Sequence, residues 1–431
     1  MTAPTPPPVP RDPVVAPSKP RLFKVLGPGL ITGASDDDPS GIATYSQAGA
    51  QFGYGLAWTL VLSYPLMVAV QDISARIGRG SGAGIAGNMR KFYPPWLVKS
   101  IVPLLLVANV INIGANLSAM AEAVRLLAPA LPHFVGVALF GGICIALQVL
   151  MKYTRYVAVL KWLTLALFAY FGTALAAPVD WPALARGMVW PILHWHGDTA
   201  TTITAVFGTT ISPYLFFWQA SQEAEDMREH PRREPLIHAP EQAASALSRI
   251  RLDTLVGMGF SNLVALAIMV TAAATLNAHG ITQVDSAARA AEALRPVAGE
   301  LAFALFALGI IGTGLLAVPV LAGSAAYAIG EARRWRVGLG REPGEAKAFY
   351  ATVAIATGLG IALNLAQVDP IRALFWSAVI NGVAAVPVMV CMMLMATRRR
   401  VMGPGVVSRP LLAVGWLATL LMSASAVGML F

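Results

Sequence analysis

Charged residues are scarce in this sequence. Only 12% of its 431 residues carry a charge, whereas 56% are hydrophobic, and soluble globular proteins have about twice that charged share. The deficit excludes an ordinary soluble domain, a disordered chain and a coiled coil. Cysteine is scarce as well, because only Cys144 and Cys391 occur, both within apolar runs. They offer neither a disulfide framework nor a thiolate metal site.

Motifs of catalysis and nucleotide binding are also missing. The sequence has no Ser-His-Asp constellation, Walker A loop or HExxH motif. Residues 82–87 match G-x-G-x-x-G, but an apolar segment precedes them instead of a strand, so dinucleotide binding is not expected. An enzyme is not expected either, because no nucleophile is paired with a base, and no cofactor is implied.

What the sequence does contain is a series of long apolar runs. About 20 helical residues cross the roughly 30 Å hydrocarbon core of a bilayer. Runs of that kind lie at about 22–50, 54–78, 100–129, 133–151, 156–177, 198–226, 252–277, 298–330, 348–367, 371–396 and 410–430. They predict an all-α membrane protein with 11 transmembrane helices, formed by residues 21–431 as a single domain. The proline-rich residues 1–20 are expected to be a disordered cytoplasmic tail.

Basic residues are distributed unevenly between the predicted loops. With a cytoplasmic amino terminus, all but five of the 31 lysine and arginine residues lie on the cytoplasmic side. The exceptions are Arg125, Arg186, Arg289, Arg295 and Arg372. Since short cytoplasmic loops accumulate Lys and Arg, we predict a cytoplasmic amino terminus and an outside carboxyl terminus in a bacterial inner (plasma) membrane. The net charge of +9 is dispersed over these loops and does not indicate nucleic-acid binding.

The first apolar run is interrupted near its middle by Asp36, Asp37, Asp38, Pro39 and Gly41. Each carboxylate costs roughly 2.5–3.5 kcal/mol at the centre of a membrane helix, and proline and glycine oppose a continuous helix. A surface loop between two short helices is the alternative, but each flank is too short to cross and recross the core. We therefore predict a broken helix.

A weaker interruption lies in the sixth run, at residues 207–214, where Gly208, two threonines, Ser212 and Pro213 occur together. The two interruptions have corresponding positions in two five-span halves, about 22–177 and 198–396, with 410–430 as an extra helix. This pattern is typical of an inverted-repeat transporter whose site lies at the bilayer midplane. Carboxylate, hydroxyl and carbonyl oxygens suit Mg²⁺, Ca²⁺ or Mn²⁺, and Asp38 is the first candidate ligand.

At these residues the chain resembles the Nramp family of divalent-metal transporters, and within it the Nramp-related magnesium-transporter branch. The likeness covers about 22–400. It is carried by Gly-Pro-Gly at 27–29, Asp-Pro-Ser-Gly at 38–41, Ser-Gln-Ala-Gly-Ala at 46–50 and Ser-Arg-Ile-Arg-Leu-Asp at 248–253. The resemblance implies a LeuT-like fold with a metal bound between broken helices 1 and 6.

Departures from the family pattern bear on the metal. The family's Asp-Pro-Gly-Asn is Asp38-Pro39-Ser40-Gly41 here, so the asparagine ligand is replaced by Gly41, and the methionine of helix 6 is replaced by Ser212. Loss of sulfur removes a filter that favours soft transition metals. The smaller Gly41 leaves volume for a partly hydrated Mg²⁺, which loses its waters reluctantly.

Departures also bear on proton coupling. The family's helix-3 Asp-Leu-Ala-Glu corresponds to residues 116–119, where Asn116 and Ala119 replace the acidic groups, and its helix-6 histidine is Tyr214. A proton relay needs titratable groups within the membrane. We therefore expect uncoupled transport, since the membrane potential supplies about 4.6 kcal/mol per divalent ion at 100 mV.

The expected function is secondary transport of Mg²⁺, with Mn²⁺ also accepted, by alternating access in a monomer whose partners are the metal ion and the bilayer. The expected ligands are Asp38, Ser40, Gly41, Thr209 and Ser212, some of them acting through water. One alternative is a proton-coupled Mn²⁺ or Fe²⁺ importer. Another is a LeuT-like symporter of an organic solute, although the aspartates beside the break disfavour an anionic ligand.

Several further polar residues allow two interpretations. Glu223, Glu225 and Asp226 end the sixth span, where they either attract cations at the exit or form a solvated helix end. Asn112 and Asn116 lie four residues apart on one face, which favours helix packing over a contact to the site, and Asn381 is ambiguous in the same way. Asp36 and Asp37 are expected to line the approach or to pair with polar groups of other spans.

Overall fold

The computed structural model describes residues 32–33, 35–150, 168–191, 197–230, 232–366, 368–403 and 407–429. The predicted tail at 1–20, the Gly-Pro-Gly motif at 27–29 and the first part of the predicted fifth span lie outside these residues. Every regular element within the described ranges is a helix.

The helices follow one another along the chain with short connections. The α-helices are α1 (Pro39–Phe52), α2 (Ala57–Ser81), α3 (Ile85–Phe92), α4 (Pro95–Leu127), α5 (His133–Leu150), α6 (Phe168–Ala176), α7 (Trp181–Val189), α8 (Gly197–Thr210), α9 (Pro213–Glu229), α10 (Ala243–Thr275), α11 (Ala287–Glu292), α12 (Arg295–Ala298), α13 (Ala302–Arg333), α14 (Lys347–Leu363), α15 (Pro370–Ala396), α16 (Arg399–Met402) and α17 (Arg409–Gly428). Single 3₁₀ turns lie at Pro240–Gln242, Asn277–His279, Gly299–Leu301 and Asn364–Ala366.

Eight helices of the described residues are long and apolar enough to cross a membrane. They lie at Ala57–Ser81, Pro95–Leu127, His133–Leu150, Pro240–His279, Gly299–Arg333, Lys347–Ala366, Pro370–Ala396 and Arg409–Gly428. Large apolar side chains such as Val107, Leu139 and Leu420 are exposed on these helices, as expected of surfaces that face lipid. The all-helical membrane architecture is thus confirmed, while the count of 11 spans stays a prediction.

The predicted sixth span is divided into two half-helices, α8 and α9, separated by residues 211–212. Neither half is long enough to cross the core alone. For the predicted first span, the second half is α1, and its first half lies largely outside the described residues. Within the described residues, the sixth predicted span is therefore two shorter helices and not one continuous helix.

Small residues let these half-helices approach their neighbours closely. A Cβ atom on Gly208 of α8 would lie 2.0 Å from the carbonyl oxygen of Ala378 in α15, a distance at which only glycine fits. Such small-residue contacts are the usual means of close helix packing in membranes. They fix the end of α8 against α15 and so determine where the second break lies.

Candidate cation-binding site

The first break is built around the carboxylate of Asp38. Asp38 is the N-cap of α1, and its Oδ1 accepts hydrogen bonds from the Gly41 backbone N at 2.9 Å and from Ser40 Oγ at 2.5 Å. Aspartate is a favoured N-cap, and the positive end of the helix dipole stabilises its charge. Pro39 suits the first helical position because it lacks a donor that would need a partner. The residues that oppose a continuous helix thus start a new one.

The second break lies between the end of α8 at Thr210 and the start of α9 at Pro213. Ser212 has an extended backbone, with φ −81° and ψ 132°. Pro213 has no N–H, so the carbonyl of Thr209 lacks its helical partner four residues on. Ser212 Oγ donates to the carbonyl oxygens of Gly208 at 2.7 Å and Thr209 at 2.9 Å. The negative end of α8 therefore carries carbonyl oxygens that a cation can bind.

The two breaks lie against each other in the structure. A Cβ atom on Gly41 would lie 3.2 Å from Thr209 Oγ1, and the Tyr214 hydroxyl donates to the Ser35 carbonyl at 3.1 Å. Asp38, Ser40, Gly41 and Thr209 are therefore close together, and all four are buried. The Ser212 hydroxyl bonds instead to carbonyl oxygens at the end of α8. That these residues bind a metal stays a prediction.

Two amides of α4 reach the same carboxylate. Asp38 Oδ2 accepts from Asn116 Nδ2 at 3.3 Å and from Asn112 Nδ2 at 3.5 Å. Asn112 Oδ1 in turn accepts from Asn116 Nδ2 at 3.0 Å and from Ser377 Oγ of α15 at 3.2 Å. The preference for a packing role was wrong, because both asparagines contact the candidate site. Their spacing of four residues shows that they share a helix face, but it does not show what that face contacts.

Asp36 and Asp37 pair with a different helix. Ser261 Oγ of α10 lies 2.6 Å from Asp36 Oδ2 and 3.2 Å from Asp37 Oδ1. The two aspartates are 0% and 2% exposed. This is the pairing with another span that the sequence left open. Asp36 Oδ1 has no hydrogen-bond partner among the described residues.

The three carboxylates of residues 36–38 have no charge partner in the part of the chain that the structure describes. The ion pairs found there join other residues, such as Asp72 to Arg76 and Glu223 to Arg249. An ionised carboxylate buried without a partner is very unfavourable. When ionised, these three carboxylates give the site a buried negative charge that a cation or protons must neutralise.

Asn381 is a further polar residue near this network. It follows Ser377 by one turn of α15, so the two side chains lie on the same face of the helix. Its side chain is fully buried, and neither Oδ1 nor Nδ2 has a hydrogen-bond partner within the described ranges. Its amide oxygen is therefore a candidate ligand that sequence reasoning left undecided.

A polar cavity of about 520 Å³ opens at one end of the bundle, between α1, α8 and α15. Ala43, Gln47 and Gln51 line it from α1 and, being spaced by four, share one helix face that continues to Pro39. Thr202 lines it from α8, two turns before Thr209. This end is opposite to the basic loops and corresponds to the predicted outer side.

At the basic end, the acidic group of α9 is paired and mostly buried. Arg249 Nη2 donates to Glu223 Oε2 at 2.5 Å. Glu225 accepts from the Tyr327 hydroxyl and from the backbone N of Gly340 at 2.6 Å. Of the two interpretations that the sequence left open, a solvated helix end does not hold for Glu223 and Glu225, because α10 and the chain after α13 cover them. These contacts tie α9 to its neighbours on this side.

This arrangement defines a class of protein. A bundle of membrane-spanning helices in which two half-helix breaks lie beside buried carboxylates, with a polar cavity at one end, is typical of a membrane transporter of the LeuT-like type. Its candidate ligand is a cation.

The comparisons with known proteins give the family. The family described as "Natural resistance-associated macrophage protein-like" matches residues 29–431. A "Divalent metal cation transporter MntH" of Deinococcus radiodurans is 27% identical over 414 residues, covering 94% of this chain and 88% of that protein. The chain belongs to the natural resistance-associated macrophage protein (Nramp) family of divalent-metal transporters.

Solved structures agree on the fold. The manganese transporter of Eremococcus coleocola superposes with a TM-score of 0.74 at 17% identity, covering 95% of this chain and 87% of that one. The structure of MhsT in complex with L-phenylalanine superposes with a TM-score of 0.56 at 11% identity, covering 92% and 98%. The predicted LeuT-like, all-helical membrane fold is confirmed.

Proposed function

We propose that this protein transports hard divalent cations, Mg²⁺ and also Mn²⁺, by alternating access and without a coupled proton, as its resemblance to the magnesium-transporter branch implies. The cation enters through the cavity at the predicted outer side and leaves at the basic, cytoplasmic end. The observation that carries the proposal is the buried carboxylate of Asp38, which has only neutral donors around it and no cationic partner among the described residues.

The donor set of the two breaks supports a hard cation. Asp38 offers a carboxylate, Ser40, Thr209 and Ser212 offer hydroxyls, and residues 35–41 and 207–214 contain no methionine, cysteine or histidine. Oxygen ligands suit Mg²⁺ and Mn²⁺, whereas sulfur selects softer metals. The missing side chain at Gly41 leaves room beside Thr209 for a water carried by the ion.

The surroundings of Asp38 also support transport without a proton. The groups that reach its Oδ2 are the amides of Asn112 and Asn116, which do not titrate. The negative interior of a cell supplies about 2.3 kcal/mol per charge at 100 mV. A divalent cation therefore needs no second ion to accumulate.

A proton-coupled Mn²⁺ importer is the second candidate function. Two observations favour it: the similar solved structure from Eremococcus coleocola is called a manganese transporter, and Asp36 and Asp37 are buried groups that can take up protons. In this candidate, each metal ion that enters is accompanied by a proton, so that the two proposals differ in a measurable quantity.

Liposomes that contain the purified protein distinguish these functions. Entry of Mg²⁺, Mn²⁺ and Ca²⁺ is measured beside internal pH, with an inside-negative potential set by K⁺ and valinomycin. We expect entry of Mg²⁺ and Mn²⁺ with constant internal pH. Acidification during Mn²⁺ entry, with no Mg²⁺ entry, would establish the second candidate and contradict the first. Protein-free liposomes are the control.

Replacing Ser212 with methionine is expected to change the ion preference. A thioether at the second break adds a soft ligand, so binding of Mn²⁺ and Cd²⁺ should strengthen relative to Mg²⁺ by about tenfold, or about 1.4 kcal/mol. Titration calorimetry with each metal measures the ratio.

Thr210→Met is the matched control for this substitution. Thr210 is also buried, and its Oγ1 donates to the Val206 carbonyl at 3.0 Å within α8. An equal change in both variants, or none in Ser212→Met, would count against a ligand role for position 212.

A further inference from the structure

A groove of about 620 Å³ opens at the basic end of the bundle, between α4 and α13. Its floor is apolar and includes Val102, Leu106 and Ile329. Its rim carries three basic residues, Arg90, Lys99 and Arg333. The groove therefore combines an apolar channel with a cluster of positive charge.

The basic side chains of the rim are available to a ligand. All three residues are exposed, none of them is in an ion pair with another described residue, and no carboxylate lines the groove in that part of the chain. Arg90 Nη1 donates to the backbone carbonyl of Glu331 at 2.8 Å, which holds its guanidinium at the mouth of the groove. The rim thus presents positive charge without an internal counter-ion.

The position of the groove matches the level of lipid headgroups. Lys99 lies in the first turns of α4, and Arg333 is the last residue of α13, both of them membrane-spanning helices. Trp96 and Trp335 lie beside these residues in sequence and are 65% and 40% exposed. Exposed tryptophans mark the boundary between the hydrocarbon core and water. The apolar floor then faces the lipid chains and the basic rim faces their phosphates.

We infer that this groove binds an acidic phospholipid, with its phosphate at Lys99, Arg333 and Arg90 and an acyl chain along Val102 and Leu106. Basic pockets between membrane helices at the cytoplasmic side are suited to acidic headgroups. A zwitterionic lipid is a poorer ligand, because its own ammonium group would lie among the cations of the rim. The inference does not depend on which ion the protein transports.

Bound lipid should also stabilise this corner of the fold. The groove is formed by α4 and α13, and Arg90 connects it to α3. A ligand that binds the folded state shifts the unfolding equilibrium by mass action. The melting temperature of the protein is therefore expected to rise with the concentration of acidic phospholipid.

The test uses the full chain in detergent, with phosphatidylglycerol and phosphatidylcholine as probes and native mass spectrometry as the measurement. We expect wild-type protein to retain phosphatidylglycerol in preference to phosphatidylcholine. The double variant Lys99→Gln, Arg333→Gln should bind phosphatidylglycerol about 10- to 30-fold more weakly, since each basic residue near a charged membrane surface contributes about 1 kcal/mol. Inorganic phosphate at the same concentration should not displace the lipid, because it lacks the acyl chain.

The control has the same change in charge outside the groove. Arg399→Gln, Arg400→Gln removes two exposed basic residues from α16, at the same end of the bundle. Equal loss of lipid in both double variants would show general attraction to basic loops and overturn the inference. So would equal retention of the two lipids by wild-type protein. The melting temperatures of the lipid-free variants verify that all of them fold.

Discussion

Replacing Asp38 with alanine is expected to abolish divalent-cation uptake into liposomes. The substitution removes the carboxylate that lies where the two helix breaks meet, and with it the charge that a cation would bind. Loss of an outer-sphere partner of a metal costs roughly 10- to 100-fold in affinity or activity. Loss of the central ligand should exceed that range for both Mg²⁺ and Mn²⁺.

Asp38→Asn separates this role from helix capping. Asp38 also caps α1, and an alanine there should lower stability by about 0.5–2 kcal/mol, whereas asparagine is as good a cap as aspartate. We therefore expect Asp38→Asn to melt like the wild type and still to transport at least about 100-fold more slowly. Asp180→Asn, at an exposed aspartate that caps α7 and lies outside both the site and the outer cavity, is the control. Wild-type uptake by Asp38→Asn would remove Asp38 from the site.

The first break shows how much of the site a sequence can reveal. Three carboxylates followed by proline cannot continue an apolar helix, and the residue before Pro39 is a good N-cap, so the position of Asp38 follows from local chemistry. The hydrogen-bond partner of Asp36 does not follow from local chemistry. Ser261 lies 225 residues further along the chain and has nothing in its own neighbourhood that marks it. Contacts of that kind become visible only when the helices are packed.

The amides of α4 illustrate a second limit. Asn112 and Asn116 have the spacing of a helix-packing pair and also the spacing of two groups that face one carboxylate. Periodicity alone does not distinguish the two, because both need the same helix face. The orientation of α4 toward the first break decides between them, and that depends on tertiary packing.

The acidic end of α9 could not be decided from the sequence for a related reason. Charged residues at the end of a membrane helix are normally solvated. Nothing in the sequence indicates that Glu223 and Glu225 are exceptions to this rule. In the structure, Arg249 reaches Glu223 from α10, and the backbone of Gly340 reaches Glu225 from the segment after α13. Burial here results from segments that are distant in sequence and cover the helix end.

The glycine motif at 82–87 binds an anion of its own chain. The backbone N of Gly84 donates to Glu331 Oε1 at 3.1 Å, and that of Gly87 donates to Oε2 at 2.9 Å. Ser221 Oγ of α9 donates to Oε1 at 3.1 Å. The exposed amides at the start of a helix suit a carboxylate as they suit a phosphate. Glu331 therefore connects α3, α9 and α13 at the basic end.

Glu331→Ala is accordingly expected to lower stability strongly. It leaves three buried donors without an acceptor, and an unsatisfied buried donor costs about 1–3 kcal/mol. We expect a loss of at least about 3 kcal/mol and a melting temperature in detergent lower by at least about 5 °C. Glu331→Gln should be intermediate, because one carboxylate oxygen is replaced by an amide NH2 group, which donates but cannot accept a hydrogen bond. Glu345→Ala, which removes an exposed carboxylate, is the matched control.

The substitutions of Asp38 and Glu331 are therefore expected to have opposite effects on stability and transport. Asp38→Asn is expected to keep its melting temperature and lose transport, since Asp38 faces the ion. Glu331→Ala is expected to lose stability but to transport, below its own melting temperature, in proportion to the folded fraction, because Glu331 contacts α3 and α9 and not the breaks. A Glu331→Ala variant that melts with the wild type would show that apolar packing alone holds this end together. One that folds fully yet does not transport would place Glu331 in the movement between the two access states.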